Sequence, residues 1–279
     1  MRLLIDTTPV DRATAALFES AEARAWQDVY AAAPSAFAET AGVGSEVLGG
    51  TLVLHWVASG RRYFSRTLGL GVLEPATEAA IDAILDGYAR RGISMFLLQS
   101  MPHCEPSGYE DWLRERGLEP FDRQDRVARG DEPAATSGDA AFPVEKVTPE
   151  TADEWAEFLQ RTYRLETGAW LQRLIGRPGW HEYVARDGDA IVGARGTYIG
   201  PDGTAWWGMD APVPGVHGPI YEPDAALCEF MVADGLAHGA KRFIADIEAP
   251  SDALDTPAYA YFSRLGFTRP YVRTHWTRL

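Results

Sequence analysis

The chain has 279 residues, of which 46% are apolar, 11% aromatic and 24% charged, so it can form packed cores and has the length of about two domains. Forty acidic and 26 basic side chains give a formal net charge of −14, which argues against binding to nucleic acid or to an anionic membrane. Cys104 and Cys228 are the only cysteines, too few for a disulfide framework. We expect a cytoplasmic protein, a monomer or homodimer, that acts on a small-molecule substrate without nucleic acid or membrane.

In the first half of the chain, the clearest predicted element is a helix followed by an apolar strand within residues 74–98. Ile81, Ile84, Leu85 and Tyr88 recur at helical spacing, with acidic residues on the opposite face. A stretch of small and polar residues then begins at Ala128, and it has no apolar period. This stretch predicts a linker at 128–142, between an N-terminal domain at 1–127 and a C-terminal domain at 143–279.

The second half gives a fuller set of elements. A helix begins near Thr148 and carries Trp155, Phe158 and Leu159 on one face. The remaining elements follow in chain order: strands 181–186, 190–198 and 204–209, a helix at 222–239, a strand at 242–247, a helix at 259–265 and a strand at 268–276. Hairpins followed by a strand–helix–strand crossover predict a mixed α+β fold, with a mostly antiparallel sheet flanked by helices.

The two halves repeat one pattern. Residues 74–98 and 222–246 align at a constant spacing of 148, and Glu-Pro opens both segments. Asp86-Gly87 in the first segment matches Asp234-Gly235 in the second. Dispersed glycine, proline and apolar positions that recur in order indicate a duplicated α/β unit.

Three segments carry a resemblance to a known family. They are the Arg-Leu-Gly-Phe sequence at 264–267, the strand meander at 176–209 and the segment 63–82. Together they resemble the GNAT acyltransferase superfamily, in its tandem two-domain form with a degenerate N-terminal domain. The resemblance implies acetyl-CoA or another acyl-CoA as cofactor, and acyl transfer to a small amine as the activity.

The resemblance also assigns residues to roles. The two strands that end at Asp210 and at Asp246 and Glu248 splay apart in the family, so these carboxylates would provide a general base. Tyr261 would protonate the leaving thiolate. The remaining expected site residues are Ala211, Val213 and Tyr221 for the cofactor, and Trp207, Arg195 and His217 for the substrate. Each has an alternative structural role: a solvated rim for the carboxylates, core packing for the aromatic residues, and an ion pair for Arg195.

One segment departs from the family pattern. The family binds the coenzyme A pyrophosphate with a glycine-rich loop at a helix N-terminus. Here that segment, 213–225, contains Pro219 and Pro223, which lack N–H donors, and Glu222 and Asp224, which carry negative charge or cap the helix. We therefore expect coenzyme A to bind weakly, and Glu222→Gln with Asp224→Asn to tighten its binding.

Two other functions remain open at this point. The chain could be a ligand-binding module that kept the GNAT fold and lost the coenzyme A site. It could also be an enzyme that uses its acidic cleft for non-acyl chemistry. No His-x-x-x-His or Cys-x-x-Cys spacing occurs, so no metal site is predicted.

Overall fold

The structure is a computed structural model, and it describes residues 5–134, 142–213, 222–248, 252, 254 and 257–279. Among these residues, no helix combines the length and the apolar character needed to cross a membrane. Two of the expected site residues, His217 and Tyr221, lie outside the described residues.

The first half of the chain alternates helices with short strands. Its elements are α1 (Arg12–Ala31), α2 (Ser35–Ala41), β1 (Val43–Leu48), β2 (Thr51–Trp56), β3 (Thr67–Leu68), α3 (Glu78–Arg90), β4 (Leu98–Ser100), α4 (Tyr109–Glu115) and β5 (Glu119–Arg129). The Thr77 side chain accepts a hydrogen bond from the Ala80 N–H and caps α3 at its N-terminus. The predicted stripe Ile81, Ile84, Leu85 and Tyr88 is the buried face of α3.

The second half has longer strands in a similar order. Its elements are β6 (Val144–Lys146), α5 (Ala152–Tyr163), β7 (Trp180–Asp187), β8 (Ala190–Ile199), β9 (Thr204–Pro212), α6 (Glu222–Ala237), β10 (Arg242–Ile247), α7 (Pro257–Arg264) and β11 (Thr268–Thr277). From the first helix of each half onwards, both halves run through two helical segments, three strands, a helix, a strand, a helix and a strand, except that the first half has two short 3-10 helices, Val57–Ser59 and Arg62–Phe64, between its second and third strands. In the second half, the second helical segment is the 3-10 helix Leu171–Leu174. The shared order of elements confirms the tandem architecture predicted from the repeat.

The chain forms two compact units that do not coincide with its two sequence halves. The C-terminal unit contains the described residues of Met1–Thr8 and Arg126–Pro270, and the N-terminal unit contains Pro9–Asp125 and Tyr271–Leu279. Strands β5 and β11, the last strands of the two halves, therefore each contribute residues to both units.

The domain boundaries 1–127, 128–142 and 143–279 stay a prediction. Ala128 and Arg129, the first two residues of the predicted linker, are the last residues of β5. Residues 135–141 of that linker lie outside the described residues.

The C-terminal unit is built on a mixed sheet. Its strands lie in the order β10-β9-β8-β7-β6, and the end of β5 lies beside β10. Neighbouring strands from β6 to β9 pair antiparallel, whereas β9 and β10 pair in parallel across the α6 crossover. This arrangement confirms the predicted mixed, mostly antiparallel sheet.

Both faces of this sheet are covered by helices. Trp155, Phe158 and Leu159 form the buried face of α5. On the α6 side, Trp207 packs against the rings of Phe243 and Phe267 in one core cluster with α6 and α7. Burial on both sides explains why β9 is apolar along most of its length.

The N-terminal unit contains one small sheet and three further strands. The small sheet has the antiparallel order β1-β2-β3, and among the further strands β11 lies between β4 and β5. Its interior holds charge as well as apolar side chains: Arg273 donates hydrogen bonds to Glu19 and Glu22, and Arg66 donates one to Glu22. All four of these side chains are almost fully buried.

Candidate active site

Strands β9 and β10 separate towards their C-terminal ends. Their parallel register joins Thr204–Trp206 to Arg242–Ile244 and ends there. The later residues of β9 keep their pairing with β8 on the other side. Among the described residues, 207–212 therefore have no strand pairing on the β10 side, and we call the space on this side the gap between β9 and β10. A strand edge without a paired neighbour presents alternate N–H and C=O groups to which a ligand can bind.

A β-bulge bends β9 at the same place. Gly196 of β8 pairs with Gly208, and Ala194 pairs with Ala211, so two β9 residues lie opposite Arg195. One of these two, Met209, has φ 53°, the left-handed region that side chains other than glycine rarely adopt. The predicted cofactor residues at this end are the buried Ala211 and the half-buried Val213.

Arg195 is bound by the first turn of α6. Its Nε and Nη2 donate to the two carboxylate oxygens of Asp224, the second at 3.0 Å. Burial is the largest single influence and lowers the Arg195 pKa, but the surrounding groups, Asp224 first and Asp210 among them, together raise this pKa above its ordinary value. The Arg195 guanidinium thus forms a buried ion pair rather than a surface one, and its role in binding a substrate stays a prediction.

The predicted carboxylates lie at the strand ends, in different surroundings. Asp210 is exposed at the end of β9, and its backbone carbonyl accepts a hydrogen bond from the Tyr163 hydroxyl. Desolvation nonetheless raises the pKa of the Asp210 carboxyl. Arg195 opposes this rise, whereas the carboxylates of Asp224 and Asp246 add to it.

Asp246 and Glu248 differ in their exposure. Asp246 forms an ion pair with the fully buried Arg126, at 3.4 Å between Nη1 and Oδ1. Glu248 is exposed at the end of β10. Asp210 and Asp246 influence each other electrostatically, whereas Arg126 already compensates the charge on Asp246.

Tyr261 lies next to the first turn of α6. Its hydroxyl donates to the Ala225 carbonyl at 2.8 Å, and burial raises its pKa. The neighbouring Cys228 is fully buried, and burial raises the pKa of its thiol as well. The expected substrate residue Trp207 is also buried, in the core described above.

Solved structures with the same architecture identify the fold. A GCN5-related N-acetyltransferase from Kribbella flavida is 16% identical, covers 94% of each chain and superposes with a TM-score of 0.60. A GCN5-related N-acetyltransferase from Sphaerobacter thermophilus is 14% identical, over 81% of this chain and 79% of that one, with a TM-score of 0.54. The chain has the tandem GNAT fold.

A third solved structure is itself a tandem protein. This tandem GNAT protein from the clavulanic acid biosynthesis pathway is 13% identical, over 83% of this chain and 78% of that one, with a TM-score of 0.54. No family model matches the sequence, and no curated protein matches it either. At such low identities the likeness establishes the GNAT fold only. Any activity has to be inferred from the geometry of the site.

The described residues fit one part of coenzyme A better than the other. The gap between β9 and β10 offers a backbone edge to an acyl-pantetheine arm. The described start of α6 does not suit a pyrophosphate, because it carries the exposed Glu222, the N–H-lacking Pro223 and the Arg195-bound Asp224. The Arg195 guanidinium lies at this helix start, where it already forms an ion pair with Asp224.

Two features of the GNAT sheet are missing from the sequence prediction. Glu182 on β7 is 3% exposed, and neither carboxylate oxygen has a hydrogen-bond partner among the described residues. Burial raises its pKa well above the ordinary value of 4.5. Strict alternation with Trp180 and Val184 places Glu182 on an inward face, which is the sequence signal for this residue.

The second missed feature is a group of side chains on β7, on α6 and in the turn after α6 whose atoms are of the types that bind metal ions. It contains His181, Asp234 and His238. Asp234 and His238 are four residues apart and share a helix face, but His181 lies 53 residues before Asp234, so no short motif reveals the group.

Proposed function

We propose that the C-terminal unit transfers an acyl group from an acyl-CoA, acetyl-CoA in the first instance, to the amine of a small molecule. The gap between β9 and β10, bordered by the carboxylates of Asp210 and Asp246, is the observation that carries this proposal. The similar structures, two GCN5-related N-acetyltransferases and a tandem GNAT protein, support it.

Residues of the chain transfer the protons and stabilise the charge that develops during the reaction. Asp210 accepts the proton of the substrate ammonium, because its exposed carboxyl has a raised pKa and a location at the mouth of the gap. The free edge of β9 donates N–H groups to the developing oxyanion. Bound acyl-CoA would supply a thioester carbonyl to that edge.

Tyr261 serves as the proton donor to the leaving thiolate. Its raised pKa keeps the phenol protonated at neutral pH, which this role requires. In the resting structure the hydroxyl donates its one proton to the Ala225 carbonyl, so it must turn from this carbonyl to the thiolate in order to transfer the proton. Asp246 is assigned a positioning role, since its ion pair with Arg126 fixes the carboxylate beside Asp210.

The acidic start of α6 favours a second candidate function, a GNAT-fold module that binds a small ligand without coenzyme A. Glu222 and Asp224 place carboxylates where a pyrophosphate needs donors, and Pro223 removes one N–H. The two candidates differ in one measurable property, the affinity for acetyl-CoA.

The test measures thiol release from acetyl-CoA with a panel of primary amines, together with calorimetric titration of acetyl-CoA. Asp210→Asn should lower kcat/KM by about 10²-fold or more, because loss of a general base typically costs 10²–10⁴-fold. Asp187→Asn, at the exposed last residue of β7, is the matched control and should leave the rate unchanged. Absence of both acetyl-CoA binding and thiol release in the wild type would favour the second candidate.

A further inference from the structure

A group of titratable side chains lies on the α6 face of the sheet and has no part in the proposed acyl transfer. His181 projects from β7, Asp234 projects from α6, and His238 lies in the turn directly after α6. One potential ligand atom from each residue lies within 4.8 Å of the others. Zn²⁺ bonds to imidazole nitrogen and carboxylate oxygen are about 2.0–2.2 Å long, so small side-chain rotations would bring the three atoms around one ion.

Hydrogen bonds within the group orient its ligands. The His238 Nδ1 lies 2.8 Å from the Asp234 carbonyl oxygen; Nδ1–H donates to it, which leaves the lone pair on Nε2. The Tyr183 hydroxyl donates to Asp234 Oδ2 at 2.7 Å. Contacts of this kind, which fix the tautomer and hold the carboxylate, typically surround metal ligands in proteins.

A positive charge already lies among these ligands. The Lys146 ammonium is 2.9 Å from Asp234 Oδ2 and 3.4 Å from His238 Nε2, and it donates to both atoms. The carboxylate and the imidazole lone pair therefore converge on a cation. The Lys146 side chain is 37% exposed, so it can move into solvent without loss of core packing.

We propose that His181, Asp234 and His238 form a binding site for a divalent metal ion, Zn²⁺ or a similar borderline ion, with Lys146 as a competing cation. Two imidazoles and one carboxylate are a typical donor set for zinc. Three protein ligands leave a fourth position for water, which the exposed side of His238 admits. Burial lowers the pKa of His181, and the charges of His238 and Lys146 lower it further, so its imidazole is neutral at pH 7 and able to bind metal.

Bound metal would connect β7 to α6 and so stabilise the C-terminal unit. A ligand that binds only the folded state raises stability by RT ln(1 + [L]/Kd), so the melting temperature should rise with metal concentration. This site is independent of acyl transfer, because the gap and its carboxylates are formed by other residues.

The experiment titrates ZnCl₂ into the untagged chain by calorimetry at pH 7.5, and records the visible spectrum of the chain with Co²⁺. We expect one equivalent of Zn²⁺ to bind the wild type and Co²⁺ to give tetrahedral d–d bands. His238→Gln, at a partly exposed position, should weaken binding at least tenfold and abolish the Co²⁺ bands. Lys146→Met should tighten binding at least tenfold, since it removes the competing charge.

The matched control is His55→Gln, a half-buried histidine of the N-terminal unit, and it should bind metal as the wild type does. Unchanged affinity in His238→Gln would place the metal elsewhere and overturn the proposal. So would a lack of binding by the wild type at 100 μM metal, or an equal affinity in the wild type and Lys146→Met. Melting curves without metal show that each variant is folded.

Discussion

At the scale of single residues, the ion pair between Arg195 and Asp224 changes what the acidic start of α6 means. A free Asp224 carboxylate would repel a pyrophosphate, and the helix dipole would stabilise that carboxylate in place. Here Arg195 holds Asp224 through both carboxylate oxygens, so the pair as a whole is nearly neutral. Glu222, in contrast, is exposed and lies one residue before Pro223.

Asp224→Asn should therefore tighten acetyl-CoA binding by about tenfold, because it frees a buried guanidinium that can bind phosphate with charge-assisted hydrogen bonds. Arg195→Gln should weaken binding by a similar factor. Glu222→Gln is the matched control and should change the affinity less than threefold, since solvent and salt screen an exposed charge. The measurement is calorimetric titration at low and high ionic strength, and equal effects of Asp224→Asn and Glu222→Gln would contradict the distinction.

Glu182 makes stability depend on pH. Its folded-state pKa is raised and its unfolded pKa is near 4.5, so the folded state holds the proton more tightly. Its contribution is complete below pH 4.5 and is lost as pH rises towards the folded pKa, by up to about 1.4 kcal/mol per pH unit.

Glu182→Gln removes this ionisation. The difference in the free energy of unfolding, variant minus wild type, should therefore increase from pH 5 to pH 8. This increase is expected even if the two proteins already differ in stability at pH 5. Urea denaturation at several pH values measures this slope. Glu119→Gln, at an exposed glutamate of β5, should show no slope; a flat difference for Glu182→Gln as well would mean that the carboxyl is not kept protonated.

At the scale of elements, apolar periodicity predicted the strands of the second half to within a few residues. The predicted 190–198 and 242–247 became Ala190–Ile199 and Arg242–Ile247. The bulge at Met209 was not predictable, because it depends on register with β8 and not on a local motif. Helix α1 was also missed, since Glu19 and Glu22 lie on its buried face and interrupt the apolar pattern.

The same limit applies to the site. The sequence predicted that Asp210, Asp246 and Glu248 lie at one edge of the sheet, because period-2 patterns indicate where the strands end. The partners of Arg195 and Asp246 lie on other elements, 29 and 120 residues away in the chain. Sequence spacing does not encode such pairs, so the sequence could not predict that the charges of Arg195 and Asp246 are neutralised by these partners.

The bulge in β9 should carry measurable strain. Met209 holds φ 53°, which costs a side-chain-bearing residue roughly 1–2 kcal/mol and glycine almost nothing. Met209→Gly should therefore be more stable than Met209→Ala by about 0.5–1 kcal/mol, although both variants lose the same side-chain contacts beyond Cβ. Ala211→Gly, two residues further along β9, is the control and should lower stability, because Ala211 is not among the described residues with positive φ. Urea denaturation of the wild type and the three variants measures the order of their stabilities.

At the scale of the whole molecule, the repeat predicted the order of elements in each half but not the composition of the compact units. A spacing of 148 shows that one unit was duplicated, and it carries no information about which strand completes which sheet. The N-terminal unit includes Tyr271–Leu279 from the end of the chain, and the C-terminal unit includes Arg126–Arg129 from the end of the first half. Each half therefore contains residues that complete the other half's unit.

This arrangement predicts that the halves depend on each other for folding. A fragment ending at residue 134 lacks Arg273, which is fully buried and pairs with Glu19 and Glu22. Removing one partner of a buried ion pair typically costs about 3–5 kcal/mol, a large share of the stability of a domain. The fragment should be unfolded or aggregated alone, and it should fold when expressed together with a second fragment that starts at residue 135.

Circular dichroism and size-exclusion chromatography of the fragments, alone and together, test this prediction. The uncut chain with Arg273→Lys, which keeps the charge but loses the paired donors, should lose stability without losing the fold. An N-terminal fragment that melts cooperatively by itself, at the temperature of the uncut chain, would show that Tyr271–Leu279 is dispensable. In that case the boundaries at 127 and 143, rather than those of the compact units, would describe how the protein folds.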